Sequence, residues 1–271
     1  MIVFTQWLQV TVYVVMSRSR QQRQLVRRLW AGREAARRRL VFLTPEAEAG
    51  LAAEQREHDD LVVARLGPDS GPFTEHKLAV AALDWSRRAW AGAQFTVLAR
   101  DSVLVNTAAV SALAARHAVS SNRVLGALYK RYSPARAPGA PHHTPPQEWP
   151  WRLYPPFLGP HLAIFSQDTL ARLLRAVPEV PLFRHPEVWL TALVSLRAEV
   201  IRLGLKDSFT PLPAAGDRSP DLDCHWLGRA AMWGQLASNT TLAWVARLQE
   251  ARARCPAPPL GPAPPRSCDA E

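Results

Sequence analysis

The sequence predicts an α/β domain built around a largely parallel sheet. Three observations carry that reading. Short runs rich in Val, Leu and Phe alternate with helical stretches through the first half of the chain. Those helical stretches place apolar residues on one face. The 271 residues are 48% hydrophobic with only 3 Cys, too apolar for a disordered chain and too poor in cysteine for a disulfide-built one.

The elements follow in order. Val10 to Val15 reads as a buried strand. A helix starts near Arg20, with Leu25, Val26, Leu29 and Trp30 on one face and Gly32 as its stop. Leu40 to Leu43 is a second strand. Thr44 then reads as the cap of a helix with Pro45 at its first position and Glu46 and Glu48 in its first turn. Asp60 opens a third strand, Leu61 to Ala64. Phe73 to Trp90 reads as a long helix, and Phe95 to Ala99 as a fourth strand ending in Arg100-Asp101-Ser102. Val103 to Val105 follows, then a helix from Thr107 to about His117. Parallel sheets bind ligands at the carboxyl ends of their strands, and Arg100 to Ser102 sits at such an end.

The second half is less regular. Ser133 to Pro150 holds six prolines and predicts an ordered loop or a flap. Leu162 to Phe165 is a short apolar run, and Ser166 caps a helix to about Ala176. Pro186 and Glu187 start a longer helix that Gly204 ends. A further helical stretch is expected from Asp221 to Arg254, and Cys255 to Glu271 is expected to be a disordered, Pro-rich tail. The expected organisation is a domain core over 8–205, a helical extension over 206–254 and a tail over 255–271.

Charge and cysteine narrow the function. The formal net charge is +10, and nine arginines against one acid fall between Arg18 and Arg39. That stretch makes a nucleic acid or an anionic surface a candidate partner. It lacks the interleaved aromatics of a single-strand binder, so a solvated helix face near a phosphate site is the preferred reading. Cys224, Cys255 and Cys268 have no C-x-x-C spacing, which gives no support to a cysteine zinc site. One disulfide and a free thiol remain open. No run of about 18 apolar residues exists to span a bilayer.

Six segments, in order, carry a resemblance. They are Arg23 to Trp30 (R-x-x-I-R-x-T-W in the family); Glu54 with His58-Asp59-Asp60-Leu61-Val62-Val63; and Asp69-Ser70 with Lys77 and Trp85. The others are Arg100 to Asn106; Trp149 with Tyr154-Pro155-Pro156-Phe157; and Pro186-Glu187-Val188-Trp189 with Leu203-Gly204-Leu205. Together these resemble the β-1,3-galactosyltransferase and β-1,3-N-acetylglucosaminyltransferase family over about Val10 to Leu205. The resemblance implies a nucleotide-sugar-binding, Rossmann-like single domain of glycosyltransferase A type. It implies a hexosyltransferase that moves sugar from a UDP-sugar donor to a glycan acceptor with inversion.

The resemblance also assigns residues. The family's D-D-D triplet holds Mn²⁺ against the donor diphosphate. Arg100-Asp101-Ser102 stands in its place, so Asp101 is the one metal-ligand position kept; the preferred expectation is that the site is lost and Arg100 is a solvated side chain, the alternative that Arg100 pairs with phosphate oxygens in place of the metal. Asp69 and Lys77 match donor-side positions. Glu187 stands where the family has its base aspartate, and is expected to deprotonate the acceptor hydroxyl. The family's glycine-rich loop is replaced by Leu158-Gly159-Pro160-His161-Leu162-Ala163, which is expected to occlude the pocket. The competing expectations are a pseudoenzyme that partners active glycosyltransferases, and the nucleic-acid binder above. The family works in the Golgi lumen behind a membrane anchor. The chain begins near its first strand, so the anchor is expected to be missing and the chain as written to be cytosolic. Asn239-Thr240-Thr241 is a glycosylation sequon if the chain enters the secretory pathway.

Overall fold

A computed structural model describes residues 10–30, 38–45, 50–66, 71–116, 122–205, 209–211 and 231–233. The elements are β1 (Thr11–Met16), α1 (Arg20–Trp30), β2 (Arg38–Pro45), α2 (Leu51–His58), β3 (Leu61–Ala64), α3 (Thr74–Ala89), β4 (Phe95–Arg100) and β5 (Val103–Val105). They continue with α4 (Thr107–Arg116), β6 (Arg123–Tyr129), β7 (Phe157–Ser166), α5 (Gln167–Ala176) and α6 (Pro186–Val188). A π-helical stretch (Trp189–Val194), α7 (Ser195–Arg197), β8 (Ile201–Gly204), β9 (Phe209–Pro211) and β10 (Ala231–Trp233) complete the order.

The main sheet has seven strands in the order β3-β2-β1-β4-β7-β6-β8. Its β3-β2, β2-β1, β1-β4 and β6-β8 pairs are parallel, and β7 runs against both β4 and β6. Both faces are buried, and strand periodicity of two sorts the side chains between them. Val12, Val14, Leu43 and Leu98 pack with Leu78, Ala82 and Leu83 of α3 and Leu170 and Leu173 of α5. Tyr13, Val15, Phe42 and Val97 pack on the opposite face with Val26 and Trp30 of α1 and Val110 of α4. The α/β class with a mostly parallel sheet is therefore the observed architecture.

Several local expectations change. Thr44 does not cap a helix. The β2 ladder runs on to Pro45, opposite Ala64 of β3, and α2 begins instead after Gly50. Residues 46–49, with Glu46 and Glu48, lie outside the described residues. Arg123–Tyr129, where the apolar pattern alone assigns no element, is β6. Gly126 in its middle is required by close approach: a Cβ there would meet the Leu162 carbonyl oxygen at 3.1 Å. The helix begun at Pro186 ends at Arg197, with Glu199 in the left-handed region at φ 55, and Gly204 belongs to β8. Ala231–Trp233, expected to be helical, pairs antiparallel with β5, whose backbone groups otherwise face an open edge. The tail 255–271 and Asn239 lie outside the described residues, and the domain boundaries expected there remain expectations.

The Pro-rich segment is an ordered loop. Arg136 donates to the carbonyls of Thr144 at 2.8 Å, Trp149 at 2.6 Å and Trp151 at 2.9 Å. One planar guanidinium thus ties together three carbonyls that an irregular loop leaves unpaired.

Candidate functional site

The order β3-β2-β1-β4 reverses direction between β1 and β4, which makes their carboxyl ends a topological switch point. Met16 and Arg100, the last residues of the two strands, are register partners there. By strand alternation Arg100 shares a face with Leu98 and turns toward α3, and the chain then turns at Asp101.

Arg100 is held on both sides. Its Nε donates to the Pro160 carbonyl at 3.2 Å, and its Nη2 lies 3.6 Å from Glu75 at the start of α3. The same Glu75 carboxylate accepts from Arg18 at 2.9 Å. One carboxylate thus lies between two guanidinium groups. Asp101 takes no part in that line. Burial pushes its carboxyl above the ordinary carboxylate value, and a Ser17 hydrogen bond and the Arg100 charge only partly offset this. Beside it, burial reinforced by Arg100 lowers His161 to about 4, so that imidazole is neutral near pH 7.

Glu187 comes to the same place. It lines a cavity of about 50 Å³ with Arg100, Glu75, Met16, Pro160 and Thr191. Its position is set by the helix that follows. The Thr191 hydroxyl donates to the Glu187 carbonyl at 2.7 Å and accepts from the Leu158 N–H at 2.8 Å. That fixes the helix start to β7, and it does so within a π-helical stretch, a distortion often found at functional sites. The cavity is far below the ~300 Å³ or more that a small-molecule site encloses. Pro160 and Leu162, which stand where the family has glycines, both line it. The segment Leu158 to Ala163 is not a loop, however; it lies within β7.

The structure brings Arg100 and Glu187 together and separates Lys77. Lys77 lines a different pocket, of about 650 Å³, with Val80, Asp84, Leu174, Val180 and Trp189. Glu75 and Lys77 are two positions apart on α3, so helical geometry turns them to different sides. Asp69 lies outside the described residues. Glu75, Arg18 and Thr191 are site residues that the sequence reading does not name; helical phase from Leu78, which faces the core, was the signal for Glu75.

The metal position fits poorly. A divalent ion of Mn²⁺ type is best held by several oxygen ligands, whereas the triplet offers one carboxylate, raised by burial above its ordinary value, beside a guanidinium. Elsewhere among the described residues, His142, His185 and Glu187 form a group whose ligand atoms lie within 4.8 Å of one another.

Several arginines of the Arg18 to Arg39 stretch are paired with acids within the fold. Arg23, fully buried, donates to Glu54 through Nε at 2.9 Å and Nη2 at 2.7 Å. Arg27 lies 2.8 Å from Glu54 and pairs bidentately with Asp60 at 2.8 and 2.7 Å. Arg20 and Arg39 lie against Glu57 and Asp59. These pairs explain part of the charge run as fold chemistry; Arg33 and Arg37 lie outside the described residues.

A parallel sheet with charged side chains gathered at its switch point defines an α/β protein of the kind that binds ligands across its strand ends. The galactosyltransferase family model matches residues 21–202, and the chain belongs to that family. A β-1,3-N-acetylglucosaminyltransferase of Mus musculus, acting on acetylgalactosaminyl-O-glycosyl-glycoprotein by its name, is 28% identical over 177 residues, covering 60% of this chain and 45% of that protein. Beta-1,3-galactosyltransferase brn of Drosophila melanogaster is 27% identical over 188 residues, covering 66% of this chain and 57% of that protein. The chain thus spans about half the length of these curated relatives. A crystal structure of 4-diphosphocytidyl-2C-methyl-D-erythritol synthase superposes with a TM-score of 0.45 at 11% identity, over 89% of this chain and 99% of that one, a likeness too loose to carry an argument.

Proposed function

We propose that the chain is a hexosyltransferase that moves sugar from a UDP-sugar to a glycan hydroxyl with inversion, in a β-1,3 linkage. The observation that carries the reading is the meeting of Arg100 and Glu187 in one cavity at the switch point. Glu187 takes the proton of the acceptor hydroxyl as its oxygen attacks the anomeric carbon. The bond from that carbon to the diphosphate breaks, and UDP leaves with the electron pair. Arg100, with Arg18 across Glu75, receives the growing negative charge in place of a metal. No step passes through Mn²⁺. A cavity of about 50 Å³ holds water rather than a nucleotide, so the donor lies along the open crevice outside the strand ends. By its family the protein works in the Golgi lumen, on a UDP-sugar and a glycan acceptor.

The same small cavity favours a second reading, a pseudoenzyme that assists active glycosyltransferases. Calorimetry with UDP, with and without Mn²⁺, separates the two. Metal-independent UDP binding and chelator-resistant transfer support the enzyme; absence of UDP binding supports the pseudoenzyme. In an active protein, Glu187→Gln lowers turnover by ~10²–10⁴ with donor affinity unchanged. Full turnover in that variant removes Glu187 from the mechanism.

A further inference from the structure

Glu187 faces a second set of side chains besides the cavity. The ligand atoms of His142, His185 and Glu187 lie within 4.8 Å of one another. A tetrahedral ion with bonds of ~2.0–2.2 Å separates its ligand atoms by ~3.4 Å, so modest side-chain rotation closes the group onto one ion. The three residues grade from exposed (His142) through half-buried (Glu187) to buried (His185), which leaves one side open to solvent for the ion and for a bound water.

The surroundings are those of a ligand histidine. His185 Nε2 lies 2.7 Å from the Thr144 hydroxyl, itself fully buried. That hydroxyl has the His142 carbonyl as acceptor at 3.4 Å and the Tyr154 hydroxyl as neighbour at 2.7 Å. With the threonine proton directed to the carbonyl, Thr144 accepts from Nε2–H. The free lone pair of His185 is then on Nδ1, the atom left for an ion. A metal-bound histidine that donates its other N–H to a fixed acceptor is the common arrangement.

The loop side is equally fixed. His142 is held in the left-handed region at φ 60, a backbone state rare outside glycine and one that marks functional positions when the surroundings enforce it. Here they do. His143 N–H donates to the Ala140 carbonyl at 3.0 Å, and Thr144 N–H to Ala135 at 2.9 Å. Arg184 bridges the loop from the far side, donating to Glu148 at 2.6 Å and to the His143 carbonyl.

We propose that His142, His185 and Glu187 form a site for a borderline divalent ion of zinc type, stapling the Pro-rich loop to the start of α6. Two imidazoles and one carboxylate suit zinc better than a hard ion such as Mn²⁺, and leave a fourth position open. The site is distinct from the Arg100-Asp101-Ser102 position. An ion bound there draws the Glu187 carboxylate away from the cavity. That consequence, and only that, rests on the transferase reading.

The test titrates the full chain with Co²⁺, followed by visible absorption, and then displaces it with Zn²⁺. The expected result is one ion per chain with tetrahedral d–d bands, no thiolate charge-transfer band, and loss of those bands on Zn²⁺ addition. His142→Ala removes an exposed ring and is expected to weaken binding at least tenfold, as is Glu187→Gln. Identical binding by wild type and His142→Ala, or a thiolate band showing that the cysteines hold the ion, overturns the proposal. Transfer assays separate this from the function above. Zn²⁺ binding with loss of transfer fits both; Zn²⁺ binding with transfer at full rate keeps the metal site and removes Glu187 as base. A chain that transfers sugar but holds no ion keeps the base and removes the site.

Discussion

Removing the Glu54 carboxylate should destabilise this protein more than almost any other single change. Arg23 and Glu54 have side-chain exposures of 0% and 1%. Glu54 receives Arg23 Nε at 2.9 Å and Nη2 at 2.7 Å, with Arg27 at 2.8 Å. Glu54→Leu leaves the Arg23 guanidinium buried without its counter-charge, a loss of ~3–5 kcal/mol when one partner of a buried pair is removed. A domain of this kind has ~5–15 kcal/mol in total, so the variant loses about a fifth of it or more. Arg27 keeps Asp60, so the loss falls on Arg23. The assay is urea unfolding of wild type, Glu54→Leu, Arg23→Leu and the double variant. Replacing both partners with apolar side chains removes the orphaned charge, so the double variant should recover more than half of the single-variant loss. A loss under ~1 kcal/mol, the worth of a surface pair, refutes the reasoning. So does a double variant as unstable as the sum of the two.

Acid should weaken the fold over two pH windows. Burial acts to raise the Glu54 carboxyl, but the Arg23 and Arg27 hydrogen bonds outweigh it and hold the group at about 2, against an ordinary 4.5. Its stabilisation is complete above 4.5 and is lost as pH falls toward 2. His161, lowered from 6.5 to about 4, binds its proton in the unfolded chain first, so stability also falls between those values. Burial lowers His76 and His185 as well, so they add to the upper window; urea midpoints measured across both windows check this, and His161→Gln should make the upper one shallower and leave the lower one unchanged. At the strand end, converting Arg100 and Ser102 together to Asp should create Mn²⁺-dependent UDP binding, read by calorimetry. Wild-type protein that already binds Mn²⁺ with UDP and loses it in EDTA contradicts the account of that position.

The strands β1 to β4 were legible because each is an apolar run bounded by polar or turn residues, the pattern a doubly covered sheet imposes. The errors arose where one local signal has two physical meanings. Thr44-Pro45 is good helix-start chemistry, yet pairing with β3 carries the strand through it. Ala231 to Trp233 has no turn residue to break a helix, and its strand state depends on the distant edge of β5. Within the site, resemblance supplied Arg100 and Glu187. Resemblance also pointed to Lys77, but on α3 it is Glu75 that faces Arg100, and Lys77 lines another pocket. The Arg23–Glu54 pair was visible as two separate matches 31 positions apart, but only packing shows that they meet.

On the proposed transferase reading, Arg100 offers the donor a positive group where the resembling family has a carboxylate. In the family arrangement, carboxylates gather a cation, and the cation meets the diphosphate. Here the strand end carries a guanidinium directly, and burial raises the neighbouring Asp101 carboxyl above its ordinary value. Glu75 lies between Arg18 and Arg100. A diphosphate has two charged groups to offer where Glu75 has one, and both arginines are partly exposed, at 55% and 33%. Exchange of Glu75 for phosphate oxygens therefore replaces one set of charge-assisted hydrogen bonds with a larger set, without first stripping water from a buried charge. That is the physical ground for the anion-binding role proposed for Arg100. It also explains why an arginine could persist at a strand end where a lone, unpaired cation would repel both a metal and its neighbours.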